Sequence, residues 1–320
     1  MNLNKIIEKQ LDWVVKETDY NIGAKYRGKV RDVYDLGDKL LIITTDRISA
    51  FDVVLTTIPF KGEILNNLSY FWFEKTKDII DNHIIELIHP NAVLVKKCRI
   101  LPIEIIVRGY LTGGGYREYT ERGEISGLKL PKGLKKNVKF DKPILTPTTK
   151  ASEGHDIPIS VEEIIKQNII PKDLMEKIEV TAIKLFEKGQ EIVNKNNLIL
   201  VDTKYEFGLS DNGELIIADE IHTADSSRYW YLDSYSSLFD EGKEQKSLDK
   251  EYLRQWLMDN NFKGEGTPPV IPLEIKTEVI KRYITAYNCI TGSNYSLENK
   301  DSMKLLDQAV LKLKDRNNIK

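Results

Sequence analysis

The sequence predicts an α+β fold: an N-terminal antiparallel β-rich lobe, a larger mixed α+β domain and a C-terminal helical extension. Three observations carry that expectation. Strand-length apolar runs broken by turn chemistry mark the early chain, as in Lys39–Thr44. Midway, Leu174, Ile178, Ala182, Leu185 and Phe186 recur at helical spacing, and two further strand-like runs follow. Beyond Ser247 the chain reads as helical, with an apolar stripe at Ile275, Val279, Ile280, Tyr283, Ile284 and Tyr287. The expected boundaries are residues 1–100, 101–246 and 247–320, the last packed on the central domain.

In chain order, Ile6, Ile7, Leu11, Val14 and Val15 predict a short opening helix. Lys29–Tyr34, the turn residues Asp35-Leu36-Gly37-Asp38 and Lys39–Thr44 predict a hairpin. A helix is expected around Leu65–Ile80 and a strand over Ala92–Arg99, before Ile100-Leu101-Pro102 interrupts the pattern. Gly109–Gly115 reads as a glycine-rich loop and Asp141–Pro158 as a polar one. Leu198–Phe207 and Leu215–Ile221 predict a second hairpin, turned at Ser210-Asp211-Asn212-Gly213.

Composition narrows the function. Lys plus Arg number 47 and Asp plus Glu 49, a net charge of −2, so nothing favours a nucleic-acid or anionic-membrane partner. No apolar run approaches the roughly 20 residues that span a bilayer. Charges interrupt the N-terminal residues every few positions, and Cys98 and Cys289 lack motif spacing. The expectation is a cytoplasmic protein with two free thiols.

Gly23–Lys29 satisfies GxxxxGK, but Val30 stands where a P-loop needs Ser or Thr, and a strand rather than a helix follows. Gly28 still permits close backbone approach to a phosphate, with Lys29 and Arg31 alternating beside it. An ordinary basic hairpin fits the same residues. In Leu200–Gly208 the two-residue period puts Asp202, Lys204 and Glu206 on one face and Val201, Thr203, Tyr205 and Phe207 on the other. Asp219 and Glu220 end the partner strand. Several carboxylates around one lysine suit a magnesium–nucleotide site, though a solvated salt-bridge ladder has the same pattern. Thr223–Arg228, and Arg108 ahead of its glycines, each suit an anion such as phosphate or carboxylate. Lys150 and the pair His155-Asp156 lie in the polar loop; His83 and His89 have no ligand spacing.

These residues fall in segments that closely resemble the SAICAR synthetase family of purine biosynthesis. The segments are Gly28–Tyr34, Asp46–Asp52, Pro102–Gly113, Thr146–Asp156, Val201–Gly208 and Asp219–Trp230, in the family's order, with a tail of its longer form from Ser247. The resemblance covers nearly the whole chain. It implies an ATP-dependent ligase that joins the carboxylate of carboxyaminoimidazole ribonucleotide (CAIR) to the amine of L-aspartate, with an acyl phosphate as the usual intermediate. It also implies a β-rich lobe over a larger α+β domain, with ATP in the cleft.

Carried over by position, Gly28, Lys29, Val30 and Arg31 surround the ATP phosphates, the backbone near Ile100 meets the adenine, and Lys150 contacts the nucleotide. Glu206 and Asp219 hold Mg²⁺. Arg108, Lys204, Asp225 and Arg228 surround the ribonucleotide, with Ser49 and Asp52 in a motif near the substrate. Lys29, Lys204 and Arg228 carry the catalytic electrostatics. Gly114 stands where the family often has a serine that holds the substrate phosphate; the glycine amide is the expected substitute. Two rivals share these motifs. A kinase-like phosphotransferase would use Glu206-Phe207-Gly208 as a DFG-like element, but no HRD motif accompanies it. A non-catalytic nucleotide-binding protein would keep the fold without turnover.

Overall fold

The computed structural model describes residues 3–150, 156–248 and 250–316. Residues 151–155, inside the Thr146–Asp156 motif and including His155, lie outside the described residues, as does Asp249 in the tail motif. The chain forms two compact units. One draws on Met1–Phe71, His83–Lys97 and Leu248–Lys320, the other on Trp72–Asn82 and Cys98–Ser247.

The first unit is built on an antiparallel sheet in the order β1-β2-β3-β7-β6. Its strands are β1 (Ala24–Arg27), β2 (Arg31–Asp35), β3 (Lys39–Thr44), β6 (Ile84–His89) and β7 (Ala92–Lys96); β4 (Arg47–Ala50) and β5 (Val53–Thr57) form a separate hairpin. The expected hairpin is present, with Tyr34 opposite Leu41 and Arg31 opposite Thr44. Gly37 supplies the left-handed turn at φ 98°. The opening helix covers Leu3–Gln10 and a 3₁₀ turn follows to Trp13, after which Val14 is extended. The later helix begins at Lys61 and ends at Thr76, earlier than its apolar pattern implies.

One face of the sheet closes on the end of the chain. Tyr34, Leu41, Ile43, Ala92 and Leu94 share a core with Leu306, Val310 and Leu313 of the helix Ser302–Arg316. The sequence places the tail on the central domain; its described residues instead belong to the first unit. The reason is physical: the last helix carries an apolar stripe at three- and four-residue spacing, and this sheet has an apolar face to cover.

The second unit centres on β15 (Leu198–Leu209), buried along nearly all its length. It pairs with β9 (Ile103–Tyr110), β16 (Leu215–Ala218), β17 (Ser227–Tyr231) and β8 (Arg99–Ile100), while β12 (Lys139–Leu145), β13 (Thr148–Thr149) and β14 (Ile157–Pro158) extend the sheet beyond β9. A small hairpin of β10 (Glu124–Ile125) and β11 (Leu128–Lys129) stands apart from it. The amphipathic helix is longer than its expected core, Lys172–Asn194, and buries Ile178, Ala182, Leu185 and Phe186 as the spacing requires.

Three expectations change here. The Ala92–Arg99 strand is two strands, broken at Lys97-Cys98. Gly109–Gly115 is not a loop: Gly109 lies in β9 and Gly113–Arg122 is a helix. Gly109 serves packing, since a Cβ there would sit 3.2 Å from the Phe186 ring. Much of Asp141–Pro158 pairs as β12, β13 and β14, because its Thr-, Ile- and Leu-containing pieces find an edge to bond to: β12 and β13 pair with β9, and β14 adds to β13.

Candidate active site

The sequence-predicted residues fall into two groups, one on each unit. In the first unit, Gly28, Lys29 and Val30 form the turn between β1 and β2, and Arg31 opens β2. Lys29 therefore sits ahead of the strand and does not alternate along it with Arg31. The Gly28 amide donates to the Arg31 carbonyl at 2.8 Å, closing the turn. The ammonium of Lys29 is paired with the Asp52 carboxylate. Asp52 lies at the tip of the β4–β5 hairpin, where Phe51 and Asp52 are both left-handed, at φ 50° and 63°. A two-residue turn of that hand suits the strand twist but strains non-glycine residues, and strain of this kind concentrates at functional sites. Ser49 precedes it in β4, its carbonyl 3.5 Å from the Lys250 ammonium.

In the second unit, Glu206 stands opposite Ala218 in the β15–β16 hairpin, so Asp219 follows directly beyond the last paired residue. Lys204 is the hub. Its Nζ lies 2.6 Å from Glu206, 2.8 Å from Glu104 and 3.8 Å from Asp219. Lys150, expected at the nucleotide, pairs with the other oxygen of Glu206. Burial opposes the charge on Lys204, but Asp219, Glu206 and Glu104 outweigh it and raise its pKa, so it stays a cation. Burial also raises the pKa of Glu104, with Lys204 pulling the other way. Glu206 is 6% exposed, which excludes the solvated ladder as a description of this row.

Asp202, on the same strand face, is 4% exposed and binds two guanidiniums. Arg108 reaches it at 3.0 Å and also donates to Thr146 Oγ1 at 2.9 Å; Arg228 is its second partner. Burial lowers the pKa of Arg108, against the pull of Asp202. Both arginines also touch the start of the helix Gly113–Arg122, whose cap Thr112 makes no side-chain bond to it. A Cβ on Gly113 would lie 2.4 Å from the Arg228 guanidinium, and one on Gly115 would lie 3.2 Å from Arg108 Nε. Two cations beside uncapped helical amides form an anion-binding arrangement. Gly114 has open space: the nearest atom to a Cβ added there would be Arg117 Nη2, at 3.8 Å.

Asp225 lies in the turn before β17, where its amide donates to Thr223 Oγ1 at 3.2 Å. Ile100 is 37% exposed in β8, opposite Gly208, an apolar side chain on a short strand with backbone groups beside it. Sequence reasoning leaves Arg47, Asp32 and Glu104 without roles, and reads Asp202 only as one carboxylate of the charged row. All four lie inside the family-like segments, but only pairing in three dimensions separates them from ordinary strand charges.

Glu206 and Asp219 suit a magnesium ion, since both already converge on one cation, the Lys204 ammonium. Among the described residues no group of three or more His, Cys, Asp or Glu side chains forms a metal cluster. Two carboxylates make the kind of partial shell that phosphate oxygens and water complete around Mg²⁺.

Comparison with known proteins gives this arrangement its family. Residues 24–269 match the family model described as SAICAR synthetase. The chain is 44% identical over 298 residues to the phosphoribosylaminoimidazole-succinocarboxamide synthase of Legionella pneumophila (strain Paris), covering 89% of this chain and 93% of that one. It is 46% identical over 286 residues to the chloroplastic protein of that name from Arabidopsis thaliana, covering 86% and 68%. Its fold matches the SAICAR synthase of Saccharomyces cerevisiae in complex with SAICAR, with TM-score 0.79, 35% identity, and coverage of 88% and 99%. A SAICAR synthetase (Type-2) in complex with ADP matches with TM-score 0.66 at 27% identity, covering 85% and 100%. The extent of these matches, along most of the chain and across both units, shows that it belongs to the SAICAR synthetase family.

Proposed function

We propose that this ligase couples ATP cleavage to amide formation between the carboxylate of CAIR and the amine of L-aspartate, giving SAICAR, ADP and phosphate. The observation that carries the reading is the pair Arg108 and Arg228 at the uncapped start of the helix Gly113–Arg122, on the same unit as Lys204 and its three carboxylates. A ribonucleotide phosphate suits the guanidiniums and the helical amides. The ATP phosphates suit Gly28, Lys29, Val30 and Arg31, and the adenine suits the exposed Ile100. Displacing Asp52 from Lys29 and Glu206 from Lys150 frees both ammonium groups for phosphate oxygens.

A carboxylate is a poor acyl donor. In the reaction we infer, a CAIR carboxylate oxygen attacks the γ-phosphorus and ADP leaves. The aspartate amine then attacks the acyl carbon, phosphate departs with that carboxylate oxygen, and the nitrogen loses a proton. Lys29 balances charge on the phosphates, while Lys204 and Arg228 hold the ribonucleotide in line. Magnesium held by Glu206 and Asp219 supplies further charge neutralisation. Positioning and electrostatics, with no covalent protein nucleophile, account for the rate. The two free thiols, Cys98 and Cys289, support a cytoplasmic setting.

Isotope transfer tests the intermediate. CAIR labelled with ¹⁸O in its carboxylate will deliver label to inorganic phosphate in each turnover. Phosphate without label, alongside SAICAR formation, would eliminate the acyl phosphate.

A further inference from the structure

Four carbonyls in a row, those of Gly28, Lys29, Val30 and Arg31, are taken up by one short segment, Thr45-Asp46-Arg47. Arg47 donates from Nη2 to Gly28 O at 3.0 Å and Arg31 O at 3.2 Å, and from Nε to Lys29 O at 3.0 Å. Val30 O accepts from the Thr45 amide at 3.0 Å and from its hydroxyl at 2.8 Å. A trans peptide points its N–H away from its C=O, and no cis peptide occurs among the described residues. Drawing the carbonyls of Gly28 and Lys29 onto Arg47 therefore turns the amides of Lys29 and Val30 the opposite way.

Arg47 is itself held firmly. Its Nη2 lies 2.7 Å from Asp32 Oδ1 and its Nη1 donates to Lys16 O at 2.7 Å. Asp32 Oδ2 accepts from the Thr18 amide at 2.8 Å and the Thr18 hydroxyl at 2.9 Å. Arg47 and Asp32 are 2% and 0% exposed. Five hydrogen bonds leave all three guanidinium nitrogens, three of them sharing the two hydrogens of Nη2, a planar arrangement that a lysine ammonium cannot copy. The pair is also neutral as a unit, so it shapes the turn without adding a charge of its own.

We propose that Arg47, anchored by Asp32, is the positioning residue of the phosphate-binding turn: it fixes the Gly28–Arg31 carbonyls inward so that the turn presents the Lys29 and Val30 amides to an anion. The proposal rests on the reading that this turn takes the ATP phosphates. Arg47 touches backbone and Asp32, not the nucleotide, and acts through the turn it holds.

The test is steady-state kinetics of the full chain with Arg47→Lys, with Lys29→Ala beside it. Loss of the fork should raise KM for ATP about tenfold, the scale of one lost charge-assisted hydrogen bond, with KM for CAIR and aspartate unchanged and kcat per folded molecule within about twofold. A role in folding alone would reduce the active fraction and leave KM for ATP where it was; that result overturns the proposal. Where Arg47→Lys does not fold, Asp32→Asn is read in the same way, since it leaves the carbonyl contacts in place and takes the charge and one acceptor from their anchor. Lys29→Ala separates the two claims. If it weakens ATP binding while Arg47→Lys and Asp32→Asn do not, the positioning role fails alone. If Lys29→Ala leaves KM for ATP unchanged, the placement of ATP on this turn fails.

Discussion

At the scale of single residues, the carboxylates and arginines of β15 and its neighbours carry distinct expectations. Glu206 accepts from two lysines, one on each oxygen, so Glu206→Gln keeps the volume and one acceptor while losing the charge. Glu206→Gln and Asp219→Asn should fold normally yet lose magnesium-dependent turnover by at least about a hundredfold, as losses of transition-state charge stabilisation typically do. Normal rates with an unchanged magnesium titration would remove either residue from the metal site. Gly114 offers the opposite kind of test. Its open side accommodates a side chain, and Gly114→Ser adds one hydroxyl donor where an anion is expected. KM for CAIR should fall by up to about tenfold, the worth of one hydrogen bond, with kcat unchanged. An unchanged KM would show that the amide already supplies the contact.

Among the secondary-structure elements, tight packing is concentrated where glycine is required. In the helix Lys172–Asn194, a Cβ on Gly189 would lie 2.6 Å from His222 Cε1 and 2.7 Å from Leu200 Cδ2. His222 cannot retreat freely: it is fully buried, its Nε2 meets the Tyr205 hydroxyl, and the Tyr229 hydroxyl donates to its carbonyl. Gly189→Ala should therefore destabilise the protein by about 1–3 kcal/mol, the range for overpacking a filled core, seen as a lower urea midpoint. A midpoint at or above the wild type would mean the helix shifts at little cost. The same elements show what sequence patterns reveal. The β2–β3 and β15–β16 hairpins are legible because Gly37 and Gly213 mark their turns, both at positive φ. Gly109–Gly115 is not. Glycine commonly marks a loop, yet here Gly109 makes room for Phe186, and Gly113 and Gly115 make room for two arginines. The charged row of β15 is legible from its two-residue period; its most important property, convergence on Lys204, is not. Its partners Glu104 and Arg108 come from β9, a pairing between distant segments that no local pattern encodes.

For the molecule as a whole, buried titratable groups set how stability depends on pH. Burial lowers His222 from 6.5 to about 3 and, together with the nearby Lys300 charge, lowers His89 to about 4. Burial raises Asp46 from 3.8 to about 7, against the amides of Gly62 and Val15 that hydrogen-bond its carboxylate. Between pH 4 and 6.5 the unfolded chain binds protons on both histidines that the folded chain lacks. Over the same range the folded chain keeps one proton on Asp46 that the unfolded chain has lost. The unfolded state thus holds one more proton from these three groups, and stability rises with pH by about 1.4 kcal/mol per unit. Asp46→Asn removes the opposing contribution and should roughly double that slope in urea denaturation between pH 4.5 and 6. A slope unchanged by the substitution would mean that Asp46 ionises in the folded protein as it does in the unfolded chain.

Catalysis by the assembled molecule is best examined by product analysis. Purified protein is incubated with ATP, Mg²⁺, CAIR and L-aspartate, each omitted in turn, and the products are resolved by mass spectrometry. The ligase reading requires SAICAR only when all four are present, with one ADP formed for each amide. ADP released without the amide, or a phosphorylated product formed without aspartate, would refute it.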